Sequence, residues 1–391
     1  MKIMQVIPYF VPAWSYGGPV SVAYNVSKEL VKRGHRVTVC TTDVLNANSR
    51  AEEKEEVIDG IKLRRFRNVS GSLIHHHNIF FSPGMFSGIK KELSDFDIIH
   101  MHEYRTIQNV IVHHYAMRYS IPYVVQAHGS LPTTTTKQRL KKLYDNIWGY
   151  KLLRDASRVI ALQETEVGQY KSMGVIEDKI EIVPNGIDLS EFDNLPQRGE
   201  FRKKYGLNDH EKIILYLGRI HETKGIDLLV RAFAGLTKVM DGVRLVIVGP
   251  NGGQLSNLTK LTRDLGVSDK VLFTGPIYER NKLEAYVDAD IFVTPSFLGF
   301  PVTFLEACAC GTPIITTENS DKLDWIHNQT GLVTAYDENQ LKDAIARVLS
   351  SRVLTEQFRK NGQKLVRQRF TWSRIAEELE QIYLEARAIR Q

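Results

Sequence analysis

The sequence has little cysteine and no long apolar run. Its three cysteines, Cys40, Cys308 and Cys310, form no disulfide framework and no Cys-x-x-Cys pair, which excludes a small disulfide-rich secreted fold. We interpret them as reduced core thiols of a cytoplasmic protein. No stretch approaches the length that spans a bilayer, and Pro8 interrupts the apolar N-terminal run before it is long enough for a signal peptide. We therefore expect no more than peripheral contact with a membrane.

The composition is that of an ordinary globular chain. Hydrophobic residues make up 43% of the 391 residues and charged residues 25%, which is enough apolar content for two or three domains. The net charge of +6 favours an anionic ligand or an anionic surface as partner.

Short apolar runs alternate with amphipathic stretches along both halves of the chain. Runs such as "IMQVIP" (3–8) and "KIILYLG" (212–218) are apolar on both faces, as buried parallel strands are. The pattern predicts an α/β protein with two Rossmann-like parallel-sheet domains that face a deep interdomain cleft. We place the domains at 1–190 and 191–371 because "PNGIDLSEFDNLP" (184–196) is rich in turn-forming residues.

Paired glycines follow the first predicted strand. Gly17 and Gly18 precede a helix with Pro19 near its first turn, an arrangement that brings backbone N–H groups close to an anion. The stretch is neither Gly-x-Gly-x-x-Gly nor a P-loop. A plain turn is the alternative interpretation.

Two cations follow the first strand of the second half, in "LGRIHETKG". Gly218 ends the strand, and Arg219 and Lys224 lie just before a helix, where both can bind a diphosphate. The alternative is a pair of solvated surface cations.

One carboxylate stands in the apolar run "GFPVTFLEACACGTP" (299–313). Pro301 is expected to start a helix and Gly311 to end it, so that Glu306 lies inside. A buried carboxylate is costly unless it is hydrogen-bonded. The sequence leaves two interpretations of the Glu306 carboxylate open: it binds the hydroxyls of a ribose, or it forms a structural salt bridge.

These motifs, with "HGS" (128–130) and "PNGID" (184–188), resemble the family-4 retaining glycosyltransferases of GT-B fold over essentially the whole chain. The resemblance implies transfer from a UDP- or GDP-sugar with no metal or other cofactor. It also implies that the last helix, within 372–391, packs back on the first domain. The site residues that it implies are His128, Arg219 and Lys224 for catalysis, and Gly17, Gly18, Gly218, Leu298, Gly299, Phe300, Pro301, Val302 and Glu306 for the donor.

Leu298 departs from the family pattern, which has a Glu at this position, eight residues before Glu306. Either the donor sugar lacks or repositions a hydroxyl there, or another polar group replaces the Glu, or the protein is weakly active. We favour an active transferase because the other motifs are intact. The competing hypotheses are a nucleotide-sugar epimerase or hydrolase of the same fold, and a non-catalytic binder.

The stretch 137–158 combines basic and aromatic residues. It contains seven Lys or Arg residues and only two Asp residues, and Tyr144, Trp148 and Tyr150 lie between them in the sequence. This pattern is typical of a helix that docks on anionic lipid, and equally of a solvated helix packed through its aromatic side. We expect a saccharide or lipid-linked saccharide acceptor, as in polysaccharide assembly, and no nucleic acid partner.

Overall fold

A computed structural model describes residues 1–46, 48–69, 80–132, 137–297, 299–318, 321 and 323–389. The described chain divides into two compact units. The first comprises Met1–Gly186 and Trp372–Gln391, and the second comprises Ile187–Thr371.

The first unit contains an eight-stranded sheet. Its strands are β1 (Lys2–Val6), β2 (Arg36–Thr42), β3 (Glu55–Ile58), β4 (Ile61–Phe66), β5 (Ile98–His102), β6 (Tyr123–Gln126), β7 (Arg158–Ala161) and β8 (Ile180–Ile182), in the spatial order β3-β4-β2-β1-β5-β6-β7-β8. All pairs are parallel except β3 with β4, a hairpin at the edge that the expected all-parallel sheet did not include. Glu55 and Glu56 lie in β3, where charged residues suit an exposed edge.

Helices cover both faces of this sheet. The helices before the second unit are α1 (Gly18–Lys32), α2 (Gly84–Glu92), α3 (Ile107–Arg118), α4 (Gln138–Tyr144), α5 (Tyr150–Asp155) and α6 (Glu164–Ser172), of which α4 buries no residue. Helix α1 packs on one face, and α2, α3, α5 and α6 contribute to the apolar core on the other. Since both faces are covered, the central strands are buried along almost their whole length, which explains their unbroken apolar sequence.

The second unit contains a six-stranded sheet, parallel throughout the described pairs. Its strands are β9 (Lys212–Leu217), β10 (Val243–Val248), β11 (Val271–Gly275), β12 (Ile291–Thr294), β13 (Ile314–Thr317) and β14 (Gly331–Thr334), ordered β11-β10-β9-β12-β13-β14. Its helices are α7 (Glu200–Tyr205), α8 (Ile226–Leu236), α9 (Leu255–Asp264), α10 (Glu279–Asp288), α11 (Val302–Ala309), α12 (Glu338–Ser350) and α13 (Arg352–Arg369).

The last helix, α14 (Trp372–Ala388), belongs to the first unit. Its apolar stripe includes Ile375, Leu379 and Tyr383, which are buried in the same core as α1 and β1.

The strand order fixes where a ligand can bind in each unit. In the first sheet the order reverses between β1 and β5, and in the second it reverses between β9 and β12. At such a switch point the two following loops diverge and leave a crevice at the carboxyl ends of the strands. The predicted glycines and cations follow these strands.

Candidate active site

Arg219 and Lys224 lie together after β9 in the second unit. A 3-10 turn over Glu222–Lys224 leads into Gly225, whose φ of +64° is left-handed and suits glycine. Lys224 is half-buried and Arg219 is exposed. Burial lowers the pKa of Lys224, and the nearby Arg219 cation lowers it further. Two mutually repelling cations on one short loop form a site that an anion would stabilise.

A glycine-rich loop that sequence reasoning missed supports these cations. It is "GPNGG" (249–253), directly after β10. Ile220 N–H donates to Pro250 O at 2.9 Å, and Gly252 N–H donates to Ile220 O at the same distance. A Cβ on Gly249 would lie 1.8 Å from Gly218 O, so no other residue can occupy that position. The sequence feature that could have identified this loop is the presence of three glycines in five residues after a buried strand.

The segment after β12 meets the cation loop. A Cβ on Gly225 would lie 3.1 Å from Cβ of Pro295, so the two loops are in contact at the switch point of the sheet. Leu298, predicted to bind the donor sugar, lies outside the described residues. The predicted residues Gly299, Phe300, Pro301 and Val302 lie on the loop and at the start of α11.

The Phe300 side chain packs within the protein. Its ring lies 5.8 Å from the ring of Phe370 and 6.4 Å from that of Trp325. In contrast, the backbone N–H groups of Gly299 and Phe300 have no hydrogen-bond partner in the described part of the chain. Pro301, expected as the first helical residue, is the N-cap instead, and the helix begins at Val302. This segment therefore offers backbone donors rather than side chains to a ligand.

Glu306 forms the structural salt bridge that the sequence left open. Lys282 Nζ donates to its Oε1 at 2.8 Å, and the hydroxyl of Tyr286 donates to its Oε2 at 3.0 Å. Both partners lie on one face of α10, at i and i+4. Each carboxylate oxygen retains a lone pair, so the salt bridge and contact with a ribose are compatible.

In the first unit, the paired glycines follow β1. A 3-10 turn over Trp14–Tyr16 ends at Gly17, whose φ is +81°, and α1 begins at Gly18 with Pro19 in its first turn. Both glycines are exposed. In the first turn of α1, Pro19 has no N–H and the N–H of Val20 donates to Gly17 O at 3.2 Å, which leaves the N–H of Gly18 for an anion at the switch point.

His128 follows β6 in a strained backbone conformation. Its φ is +51°, which is uncommon for a residue other than glycine and is found most often at functional sites. Burial lowers its pKa to about 3. Arg105 fixes the loop by donating to Ser130 O at 2.5 Å and to Leu131 O at 2.9 Å.

Sequence reasoning also missed Glu103, at the end of β5. Its φ is +63°, and it accepts a hydrogen bond from the hydroxyl of Tyr9 at 2.9 Å. Burial raises the pKa of its carboxyl to about 7. The Tyr9 ring stacks on Tyr16 with centroids 4.3 Å apart. Aromatic faces beside a polar group near the switch point suit a sugar ring. The sequence feature that could have identified Glu103 is its position in "HE" (102–103) at the end of a predicted strand.

The basic stretch 137–158 exposes apolar side chains. Helices α4 and α5 are joined by a π-helical turn over Asp145–Gly149 that the sequence pattern did not predict. Large apolar side chains that remain in contact with solvent are Leu140, Leu143, Ile147, Trp148 and Tyr150. No helix in the described ranges has the length and apolar character to cross a bilayer.

Among the residues that the structure describes, no three His, Cys, Asp or Glu residues are grouped so as to hold a metal ion.

Known structures share this two-unit architecture. The Anabaena protein Alr3699/HepE, solved in complex with UDP, superposes with a TM-score of 0.75 at 19% identity, and covers 98% of this chain and 99% of its own. At that identity the likeness shows the fold alone.

The sequence supplies the family. The family description "Glycosyltransferase Family 4" matches residues 16–191, and "Glycosyl transferases group 1" matches residues 197–365. The chain is therefore a glycosyltransferase of GT-B fold. An uncharacterized glycosyltransferase of Methanocaldococcus jannaschii is 29% identical over 98% of both chains. A GDP-mannose-dependent alpha-(1-6)-phosphatidylinositol monomannoside mannosyltransferase of Mycobacterium tuberculosis is 33% identical over 51% of this chain and 54% of its own.

Proposed function

We propose that this glycosyltransferase moves a sugar from a nucleoside diphosphate sugar to a saccharide or lipid-linked saccharide, with retention of anomeric configuration and without a divalent ion. The observation that carries the proposal is the pairing of Arg219 with Lys224 on one loop at the switch point of the second sheet. In the unligated protein, burial and the Arg219 cation destabilise the charged form of Lys224. The negative charge of a bound diphosphate stabilises that form.

The charge that develops in the reaction explains the need for these cations. As the bond between the anomeric carbon and the donor phosphate breaks, negative charge grows on the β-phosphate. Arg219, Lys224 and the N–H groups of Gly299 and Phe300, which have no partner among the described residues, are preorganised donors for that charge. The acceptor oxygen then bonds to the anomeric carbon on the face that the phosphate leaves, and its proton passes to the phosphate.

The donor is proposed to carry UDP or GDP. HepE was solved with UDP, and the mycobacterial relative is named as GDP-mannose-dependent, so relatives of both kinds support a nucleoside diphosphate. We propose that Glu306 binds the ribose, because its helix starts beside the donor N–H groups and its carboxylate is held in place by Lys282.

The acceptor is proposed to be carried at an anionic membrane surface. In the stretch 137–158, exposed Leu140, Leu143 and Trp148 stand among lysines and arginines. Apolar side chains that enter the lipid interface, ringed by cations that contact anionic headgroups, are typical of interfacial helices. The solvated alternative does not explain why several large apolar side chains on this helix remain exposed.

Binding and turnover test the proposal together. Thermal unfolding is measured with UDP, GDP and their common sugars for the wild type, Arg219→Ala and Arg231→Ala. Arg231 is an exposed cation of α8 and serves as the matched control. One nucleotide class should raise the melting temperature of the wild type and the control, but not that of Arg219→Ala.

Turnover separates the transferase from its alternatives. The ligand found in the binding screen is incubated with and without saccharide acceptors, and the products are identified by mass spectrometry and NMR. Acceptor-dependent product with retained configuration supports the proposal. Release of free sugar or of an epimer without acceptor supports the hydrolase or epimerase, and binding with no product supports the non-catalytic binder.

A further inference from the structure

His221 lies between the two cations of the loop that follows β9 in the second unit. The segment 219–224 is the cation loop, and two hydrogen bonds of the His221 backbone close it. His221 N–H donates to Arg219 O at 3.0 Å, and Lys224 N–H donates to His221 O at 3.1 Å. The histidine side chain is partly exposed. The function proposed above uses both cations and gives this histidine no role.

The side chains of Arg219 and His221 leave the backbone on the same side. Ile220, between them, forms a parallel β-bridge with Asn251 and is buried in the core of the second unit. His221 itself is extended, with φ −132° and ψ 152°. Because successive side chains of an extended backbone point to opposite sides, the residues before and after a buried one both point away from the core. The imidazole therefore lies on the side of the loop from which the Arg219 side chain extends.

One nitrogen of the imidazole is already occupied by the turn. His221 is the N-cap of the 3-10 turn Glu222–Lys224, and its Nδ1 accepts a hydrogen bond from the backbone N–H of Thr223 at 3.3 Å. The hydroxyl oxygen of Thr223 lies 3.1 Å from the same nitrogen. A backbone N–H can only donate, so Nδ1 is unprotonated and the proton of the neutral ring is on Nε2.

The other nitrogen, Nε2, is a hydrogen-bond donor. It has no acceptor among the described residues, because both hydrogen bonds of the His221 side chain are made by Nδ1. A donor beside Arg219 suits a ligand that brings acceptor oxygens. In a nucleoside diphosphate sugar, the phosphate oxygens are the acceptors that carry charge, and a charged acceptor makes the stronger hydrogen bond.

We propose that His221 is a third diphosphate-binding side chain of the cation loop, with its Nδ1 held by Thr223 and its Nε2–H group donating to a phosphate oxygen beside Arg219. The inference rests on the proposed function for the identity of the ligand. A neutral donor adds a directional hydrogen bond without a third positive charge. The loop needs that economy, because the Arg219 cation already lowers the pKa of Lys224.

The protonated nitrogen and its contact with phosphate can be observed directly. Long-range ¹H–¹⁵N correlation spectra are recorded on the full chain with ring-labelled histidine, and the signals of His221 are identified by their loss in His221→Asn. We expect Nε2 protonated and Nδ1 bare in the free protein. Inorganic pyrophosphate, a diphosphate with neither base nor sugar, should shift the Nε2–H signal. A protonated Nδ1, or an Nε2–H signal that pyrophosphate does not move, would overturn the proposal.

Two substitutions separate the capping nitrogen from the donating one. The side-chain oxygen of Asn is a good N-cap and replaces Nδ1, but Asn has no group at the position of Nε2, whereas Ala replaces neither nitrogen. We expect His221→Asn to keep the melting temperature of the unligated protein and to raise the Kd of UDP or GDP, measured by calorimetry, about tenfold or more. His221→Ala should lower the melting temperature as well. Wild-type affinity in His221→Asn with weakened binding in His221→Ala would make His221 a cap only, and would overturn the donor role.

The matched control is His210→Asn, the same substitution at an exposed histidine of the second unit outside the cation loop. It should bind the nucleotide as the wild type does. Arg219→Ala distinguishes this inference from the proposed function. If binding is lost in Arg219→Ala and unchanged in His221→Asn, the proposed function stands and the inference fails. If the wild type binds neither UDP nor GDP, the proposed function fails, and the response of the Nε2–H signal to pyrophosphate alone decides the inference.

Discussion

Lys282 and Glu306 form an ion pair between α10 and α11, with Nζ and Oε1 2.8 Å apart. The side chains are 23% and 14% exposed, so solvent screens the pair only in part. Tyr286 completes the arrangement by donating to the other carboxylate oxygen. The carboxylate is thus fixed in direction before any ligand arrives, which is the property that a ribose-binding group needs.

A double-mutant cycle measures this coupling. The free energy of unfolding in urea is determined for the wild type, Lys282→Met, Glu306→Gln and the double variant. We expect a coupling of about 1 kcal/mol, the lower end for a charge-assisted hydrogen bond because both groups remain partly solvated. Additive effects would show that the contact contributes nothing to stability.

The lowered pKa of Lys224 predicts how the affinity for the donor depends on pH. Its pKa is lowered in the unligated protein, and a bound diphosphate favours the charged form, so binding takes up a proton as pH approaches that pKa. Affinity for the nucleotide sugar should therefore fall as pH rises through a range below that of an ordinary lysine. Lys224→Arg stays charged and should bind with no such fall. Parallel pH profiles for the two proteins, measured by calorimetry, would contradict the assignment.

The fold was predictable because its strands are buried on both faces. Unbroken apolar runs such as β1 and β10 are strong signals, and the turn-rich joint near 184–196 marks the start of the second unit within a few residues. The β3–β4 hairpin was missed because an edge strand carries charged residues, as a loop does. Short-range sequence cues do not identify it.

The site was predictable only where backbone chemistry determines the residue. Glycines and cations after strands are visible in sequence, whereas the partners of Glu306 lie 24 and 20 residues away on another helix. The same holds for the buried contact between His100 and Tyr383, which are 283 residues apart in the sequence. Such pairs depend on tertiary packing, and one sequence alone does not show them.

Chelation tests whether the protein supplies all the positive charge. We expect initial rates of sugar transfer to be unchanged by EDTA, because in the proposed mechanism Arg219, Lys224 and backbone N–H groups stabilise the leaving diphosphate. Rates are measured before and after dialysis against chelator, and again after addition of Mg²⁺ or Mn²⁺. Loss of activity that either ion restores would mean that a metal takes part.

Membrane contact is predicted to depend on the exposed apolar residues of 137–158. Leu143→Ser with Trp148→Ser should reduce cosedimentation with vesicles that contain phosphatidylglycerol by about tenfold, because two large apolar groups no longer enter the interface. The matched control is Val353→Ser, which removes an exposed apolar side chain of α13. Equal binding of all three proteins, or equal binding of the wild type to neutral phosphatidylcholine vesicles, would contradict the lipid role.

The last prediction concerns Leu298, where the family pattern has a Glu. If the donor sugar presents a hydroxyl at this position, Leu298→Glu adds a charge-assisted hydrogen bond, about 1.5–3 kcal/mol, and kcat/KM should rise tenfold or more. If the natural donor lacks that hydroxyl, the new carboxylate meets an apolar edge of the sugar and loses its hydration without compensation. Activity on that donor should then fall while activity on a fully hydroxylated donor appears.

We expect the second outcome, because leucine is a poor partner for a hydroxyl and a good one for a deoxygenated carbon. The measurement is kcat/KM of the wild type and Leu298→Glu on matched hydroxy and deoxy donors, with Leu298→Gln as a neutral polar control of similar size. If the new carboxylate contacts the sugar, the ratio of the kcat/KM values for the hydroxy and deoxy donors changes. The Gln side chain changes this ratio less, because its hydrogen bond carries no charge. If neither substitution alters that ratio, residue 298 does not contact the discriminating carbon, and its role in the family does not extend to this chain.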